Sequence, residues 1–171
     1  SSYPYGAANC KALQTTITLK NIALTIEKEN LINKPFRGYV TYRNIKKLYF
    51  RVVEVDFEKY MRRSDSNNGQ ETKEIVKNLC KLKAFKEWNL DMPDDGDYQT
   101  HYAEIKVPEL PVGHYMILTC DASTFDIEKN GIAYANAWST NLSFIDRKKP
   151  QGGYDFFVLD RESGVPIKGA T

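Results

Sequence analysis

The chain of 171 residues has little of what most chemistry at a protein site requires. It holds two histidines, His101 and His114, and three cysteines, Cys10, Cys80 and Cys120. No pair of cysteines stands in a C-x-x-C or other metal-ligand spacing. Two histidines without a third ligand make a poor zinc site and leave a Ser-His or Cys-His mechanism little to draw on. There is no G-x-S-x-G elbow, no Walker-type loop and no dinucleotide glycine loop among the ten glycines. Charge of one sign is missing too: 24 basic against 22 acidic residues give +2, so composition offers no nucleic-acid footprint. No apolar run approaches the roughly 18 residues of a membrane span. No leader is visible at Ser1, so the expectation is a cytosolic chain, a processed form, or a piece of something longer. An odd number of cysteines argues against a complete disulfide framework. Three thiols, or one bridge and one thiol, both fit, with Cys120 read as a core residue.

What is present is β-type patterning. Eleven tyrosines sit mostly in runs that favour strands. Residues 105–121, IKVPELPVGHYMILTCD, read as strand, corner, strand. Ile105 and Val107 alternate with charge, and Pro108 and Pro111 end the pairing because proline has no ladder donor. Gly113 is expected to turn the chain with positive φ. Residues 115–120 are apolar on both faces, as a central strand would be. Such a corner is expected where two sheets of a sandwich meet.

Before it, residues 1–14 read as a flexible lead. Residues 15–28 read as one bulged strand or two short ones, carrying Ile17, Leu19, Ile22, Leu24 and Ile26. Residues 37–43 and 48–56 are strands whose short connection predicts a hairpin. Residues 57–82 form an insertion. Phe57, Tyr60 and Met61 are spaced like a helical turn, 62–70 form a polar loop, and 71–81 form a short helix with acids first and lysines last. Trp88, Leu90 and Met92 mark a strand ending at Pro93. The 94–97 turn, DDGD, resembles a calcium loop in composition only, because it lacks the regular oxygens and terminal glutamate.

After it, a loop over 122–132 precedes a strand over 136–147 with Trp138, Thr140, Leu142 and Phe144 on one face. The sum is a mainly β, immunoglobulin-like antiparallel sandwich of about seven strands over 15–147, with a short helical insertion. Residues 148–153, KKPQGG, read as a linker. Residues 154–171 read as a strand, a turn at 160–164 and a further strand, the start of a following β domain. A hinge between domains is then expected at Pro150, Gly152, Gly153, Asp160, Arg161 and Gly164.

Other candidates have plainer readings. His101 and His114 approach one another only if their strands form a hairpin. The aromatics Tyr3, Tyr5 and Tyr134 could stack on sugars if exposed. Asn141-Leu142-Ser143 matches a glycosylation acceptor, which counts only on a secretory route. No catalytic, cofactor-binding or metal residue is assigned, and no cofactor is expected.

The chain resembles the N-terminal macroglobulin-like domains of bacterial α2-macroglobulin family proteins, large cell-envelope polypeptides built of serial β-sandwiches. The resemblance is carried by LYFRVVEVD at 48–56, KEWNL at 86–90 with Pro93 beyond it, PELPVGHY at 108–115 and, most specifically, FFVLDRESGVPIKGA at 156–170. It implies a macroglobulin-like fold and a scaffold role in a secreted or envelope-anchored protease trap. The partners it implies are neighbouring domains of the parent chain and a target protease. The family's thioester needs a Gly-Cys-x-Glu-Gln type sequence, and none of the three cysteines has that context. A carbohydrate- or protein-binding adhesin module is the alternative that the tyrosine content supports.

Overall fold

The computed structural model describes residues 4–56, 58, 69–93 and 95–169. Two helices and ten strands are described. Helix α1 spans Pro4–Thr18 and α2 spans Gly69–Lys81. The strands are β1 Asn21–Ile26, β2 Glu29–Asn30, β3 Phe36–Arg43, β4 Lys47–Glu54, β5 Lys86–Asp91, β6 His101–Val107, β7 Gly113–Cys120, β8 Ile132–Ser139, β9 Leu142–Lys148 and β10 Tyr154–Asp160.

They form three sheets. One has the order β1-β3-β6 and another β2-β8-β7-β4-β5; β9 and β10 make a two-stranded ribbon. All pairings are antiparallel except β2 with β8. The first two sheets face each other as an immunoglobulin-like β-sandwich. Leu24, Val40, Tyr42, Ile105 and Val107 from one sheet meet Leu48, Phe50, Val52, Tyr115, Ile117 and Ala137 from the other. Each large side chain so buried contributes about 1.5–3 kcal/mol. Trp88 closes the β5 margin, its ring stacked on Phe50 at 5.0 Å.

Strand β7 is apolar on both faces, and β4 adds Val53 to its outer face, because a second layer lies behind them. Val53, Met116, Leu118 and Cys120 pack against Leu79 of α2 and Phe125 of the following loop. The helical insertion thus serves as a cover, with Val76 and Leu79 buried and the polar residues outside. Arg51 ties the cover down through the Cys80 carbonyl (2.9 Å) and Glu87 (2.7 Å).

Several expectations change. Residues 4–18 are helical where a flexible lead and the start of a strand were expected. Proline suits a first helical turn, alanines favour the helix, and the Thr15, Thr16 and Thr18 hydroxyls donate to carbonyls four residues back. Arg43 and Asn44 then donate to the Thr16, Ile17 and Leu19 carbonyls that the helix end leaves open. Strands β3 and β4 are not a hairpin: they lie in opposite sheets, and the three-residue link arches across with Asn44 at φ 57° and Ile45 buried. The corner at 108–112 makes the same kind of crossing between β6 and β7, as expected of that motif. Gly113 does not supply positive φ there; it makes room for the Tyr115 ring. The single strand expected over 136–147 is two strands, β8 and β9, in different sheets. The helical turn expected at Phe57, Tyr60 and Met61, and most of the 62–70 loop, lie outside the described residues.

Candidate interaction surface

The most distinctive surface lies at the C-terminal end. Strand β8 stops at Ser139, whose hydroxyl donates to the Leu110 carbonyl inside the sandwich. The Thr140 amide donates to the Asn30 carbonyl, the last bond to sheet β2-β8. The Leu142 amide then turns to the Thr140 hydroxyl, at 3.0 Å. From that break β9 leaves the sandwich and pairs with β10, in register from Leu142↔Asp160 to Lys148↔Tyr154. Among the named elements, β9 and β10 pack chiefly on one another.

Alternation along this ribbon gives two faces, each mixing apolar with polar side chains: Asp146, Lys148 and Asp160 stand on the first, Ser143, Arg147 and Asp155 on the second. Leu142, Phe144, Phe156, Val158 and Tyr154 share one, with Phe156 ringed by Phe144 at 6.1 Å and Tyr154 at 6.3 Å. Ile145, Phe157 and Leu159 share the other, where the Arg147 guanidinium lies over the Phe157 ring at 5.7 Å. Phe144 and Phe156 are 60% and 64% exposed, Ile145 and Phe157 57% and 46%.

The ribbon's tip is the KKPQGG stretch. The Lys149 amide donates to the Gly153 carbonyl and the Gly152 amide to the Lys149 carbonyl, with φ 93° at Gly152 and 84° at Gly153. These residues are a hairpin turn, not a linker between two units. Asp155 accepts from Lys149 (2.7 Å) and Arg147 (3.3 Å), and these bonds, Lys149's first, hold its carboxyl below the usual range.

The ribbon's base is the 160–164 turn. Asp160 Oδ1 accepts from the Ser163 hydroxyl (2.7 Å) and amide (2.8 Å) and from the Glu162 amide (3.2 Å), which lowers the Asp160 pKa. Gly164 completes the turn at φ 70°. The chain then returns along the outer edge of β10: the Asp160 amide donates to the Val165 carbonyl and the Ile167 amide to the Val158 carbonyl. The base touches the sandwich by the Arg161 amide on the Asn141 carbonyl (2.6 Å) and a Lys34–Glu162 ion pair. A cleft of about 310 Å³ lies beside this joint, lined by Glu27, Glu29, Lys34, Phe36 and Arg161 among others.

The six expected hinge residues are therefore split. Pro150, Gly152 and Gly153 lie at the tip, and Asp160, Arg161 and Gly164 at the base, about 20 Å away along a strand rising ~3.3 Å per residue. The bonds between ribbon and sandwich lie at Thr140, Asn141 and Arg161. No sequence signal marked Asn141, because the alternation of Trp138, Thr140, Leu142 and Phe144 runs unbroken through it.

The other candidates do not converge. His101 is on β6 and His114 on β7, in opposite sheets. His101 Nε2 lies 3.0 Å from Asp97 Oδ1, which also accepts the Gln99 amide, so the pair closes a turn. That use of Asp97 and the left-handed Gly96 account for the described part of the 94–97 turn. His114 is buried with its ring 4.4 Å from Trp138, and burial lowers its pKa. Tyr134 is half-buried against the outer layer rather than exposed, and Tyr3 and the Tyr5 side chain lie outside the described residues. The exposed aromatic pair on the sandwich is one not singled out from sequence: Tyr39 and Tyr102, stacked at 6.0 Å on the outer face of sheet β1-β3-β6. Among the described residues no helix is long and apolar enough to cross a membrane, which says nothing of strands.

Comparison with known proteins names no family. No family model matches the chain, and no curated protein matches it. Among solved structures, the CARDB domain of the PF1109 protein of Pyrococcus furiosus, crystallised with di-metal ions, is similar at 11% identity and TM-score 0.37, over 71% of this chain and 88% of that one. Its solution structure is similar at 12% identity and TM-score 0.34, over 71% and 94%.

Proposed function

We propose that this chain is a non-catalytic scaffold unit of an α2-macroglobulin-like envelope protein and contributes to protease trapping through its contacts with neighbouring domains. The observation that carries this reading is the ribbon β9-β10. It leaves a finished sandwich, shows apolar side chains on both faces and runs into the DRESGVP turn at 160–166 on which the family resemblance most depends. A unit whose own core is closed, and whose conspicuous surface is a strand pair built to be covered, suits a module in a series. The envelope location follows from the same resemblance and stands with it.

The test is shielding of a protease by the assembled protein that carries this segment. The protease should lose protein substrates and keep small peptide substrates. Phe144→Asp with Phe156→Asp should abolish the shielding. Shielding that survives both substitutions overturns the scaffold role.

A second reading, a carbohydrate-binding module, is favoured by Tyr39 and Tyr102. Two nearly parallel exposed rings on the outer face of a sheet that also carries the Arg37–Glu104 ion pair offer a platform for sugar rings. Saturable binding on a glycan array, lost in Tyr39→Ala and Tyr102→Ala, would establish it. An array without signal removes it.

A further inference from the structure

We infer that strand β6 is a self-pairing edge: two copies of this chain join through it, antiparallel about a two-fold axis at Ile105, so that their three-stranded sheets become one continuous sheet. The inference is independent of the scaffold reading and of the ribbon.

The first observation is an open edge. In the order β1-β3-β6, the seven residues His101–Val107 have β3 on one side only. In an antiparallel ladder, alternate residues turn their amide and carbonyl away from the partner strand. Among the described residues no backbone bond reaches that side of β6. The strand pairs with β3 without a skipped residue and contains no proline or glycine, so neither bulge nor kink blunts its edge. The other sheet margins are closed to a copy. Strand β1 leans on β8, and β2 has only two residues. Strand β5 turns out Glu87, Asn89 and Asp91, a face with no cation to meet its acids.

The second observation is charge. Tyr102, Glu104 and Lys106 are exposed on the outer face of β6, while Ala103, Ile105 and Val107 point toward the core. Pairing two copies outer face with outer face puts the axis on a residue, because a one-residue slip of register sets outer side chains against inner ones. With the axis on Ile105, Glu104 of each copy faces Lys106 of the other, and Ala103 faces Val107. With the axis on Glu104 or on Lys106, a charge faces its own kind. Opposite charges directly across a ladder stabilise it and like charges oppose it. The ladder ends where Tyr102 faces Pro108, which has no donor to offer.

Both charges are available for this. Glu104 has only the exposed Arg37 near it, at 3.6 Å, and Lys106 makes no ion pair among the described residues. An edge lysine ordinarily repels foreign strands. Placed two residues from Glu104 on the same face, Lys106 does not repel a copy of this one. Ile105, at the axis, is 4% exposed, and its Cγ1 fills the space above Gly38, so the edge is held in place before any partner arrives.

Sedimentation velocity over a range of concentrations tests this on the 171-residue chain, which should show a monomer–dimer equilibrium. Lys106→Glu and Glu104→Lys each convert both pairs to like charges and should raise the dimer dissociation constant at least ~10-fold. Glu104→Lys combined with Lys106→Glu restores both pairs and should recover the parent value. An equimolar mixture of the two single variants should form a heterodimer, since one copy then offers two lysines and the other two glutamates. The substituted positions are exposed, and unchanged thermal midpoints show that the variants fold. A chain that stays monomeric at every concentration overturns the proposal. So does a dimer indifferent to the single reversals, or one lost in Phe156→Asp instead, which gives the contact to the ribbon. Weakening by each reversal without recovery in the double variant overturns it as well, because the Ile105 register requires the exchange.

Discussion

A Cβ placed on Gly113 would lie 3.0 Å from the Tyr115 hydroxyl and 3.1 Å from its ring. The two residues are two apart on β7 and face the same way, into the sandwich, where Tyr115 is buried and donates to the Pro111 carbonyl at 3.3 Å. The corner between the sheets therefore closes on a tyrosine ring that occupies the space a side chain at 113 would need.

Gly113→Ala should destabilise the chain by about 1–3 kcal/mol, the range for overpacking a filled core. Gly131→Ala is the control: nothing lies within 4 Å of its Cβ position and its φ is not positive. It should be neutral, or stabilise by about 0.4–1 kcal/mol through the unfolded chain. Urea denaturation of the two variants reads both values.

His114 should make the sandwich acid-sensitive. Burial lowers its pKa from 6.5, with a backbone hydrogen bond at Val55 acting the other way. A depressed folded pKa means that the unfolded state binds the proton more readily. The stabilising contribution is therefore complete above 6.5 and is lost as pH falls through the lower folded value. The unfolding midpoint should hold at neutral pH and decline below about 6.5, where histidine titrates. His114→Phe keeps a ring against Trp138 and should flatten that decline. An unchanged slope in the variant would place the titration elsewhere.

The periodic parts of the fold were legible and the connections were not. Strands β3, β5 and β6 follow from alternation, β4 and β7 from strand-forming apolar runs, and the helix expected over 71–81 from its own spacing; it starts two residues earlier, at Gly69. The double-sided apolar run at 115–120 correctly implied a layer on each side, though not that α2 supplies one of them. The link at 44–46 is short enough for a hairpin; it arches between sheets because Asn44 takes a left-handed conformation and caps α1 with its side chain. Helix α1 was hidden because its threonines look strand-like until their hydroxyls are seen bonded back to the helix. At the candidate surface, the 160–164 turn was readable from Asp160 and Gly164, while the strand expected after it is a single bridge, Leu159 to Pro166. The break between β8 and β9 was not readable. A strand break made by one hydroxyl, that of Thr140 on the Leu142 amide, leaves no mark on an alternating pattern.

The three thiols should separate by reactivity. Cys10 is exposed on α1, Cys80 is half-buried beneath Arg51, and Cys120 is buried. Burial raises the pKa of Cys80 and Cys120, which lowers their thiolate fraction. A thiol reagent at neutral pH should modify Cys10 at once, Cys80 slowly, and Cys120 only as the sandwich unfolds. Mass spectrometry over time gives the order, and early labelling of Cys120 would contradict the buried outer layer.

The account rests on a sandwich that is complete without its last two strands. The most direct measurement is the thermal midpoint of the full chain against Phe144→Asp with Phe156→Asp. Both residues are exposed on the ribbon and neither belongs to either buried cluster. The account predicts a midpoint within about 2 °C of the parent chain, no more than the ~2–4 °C that 1 kcal/mol gives in a chain of this length, together with reduced binding of a hydrophobic dye. A fall of ~8 °C or more would show the ribbon to be part of the sandwich's own core.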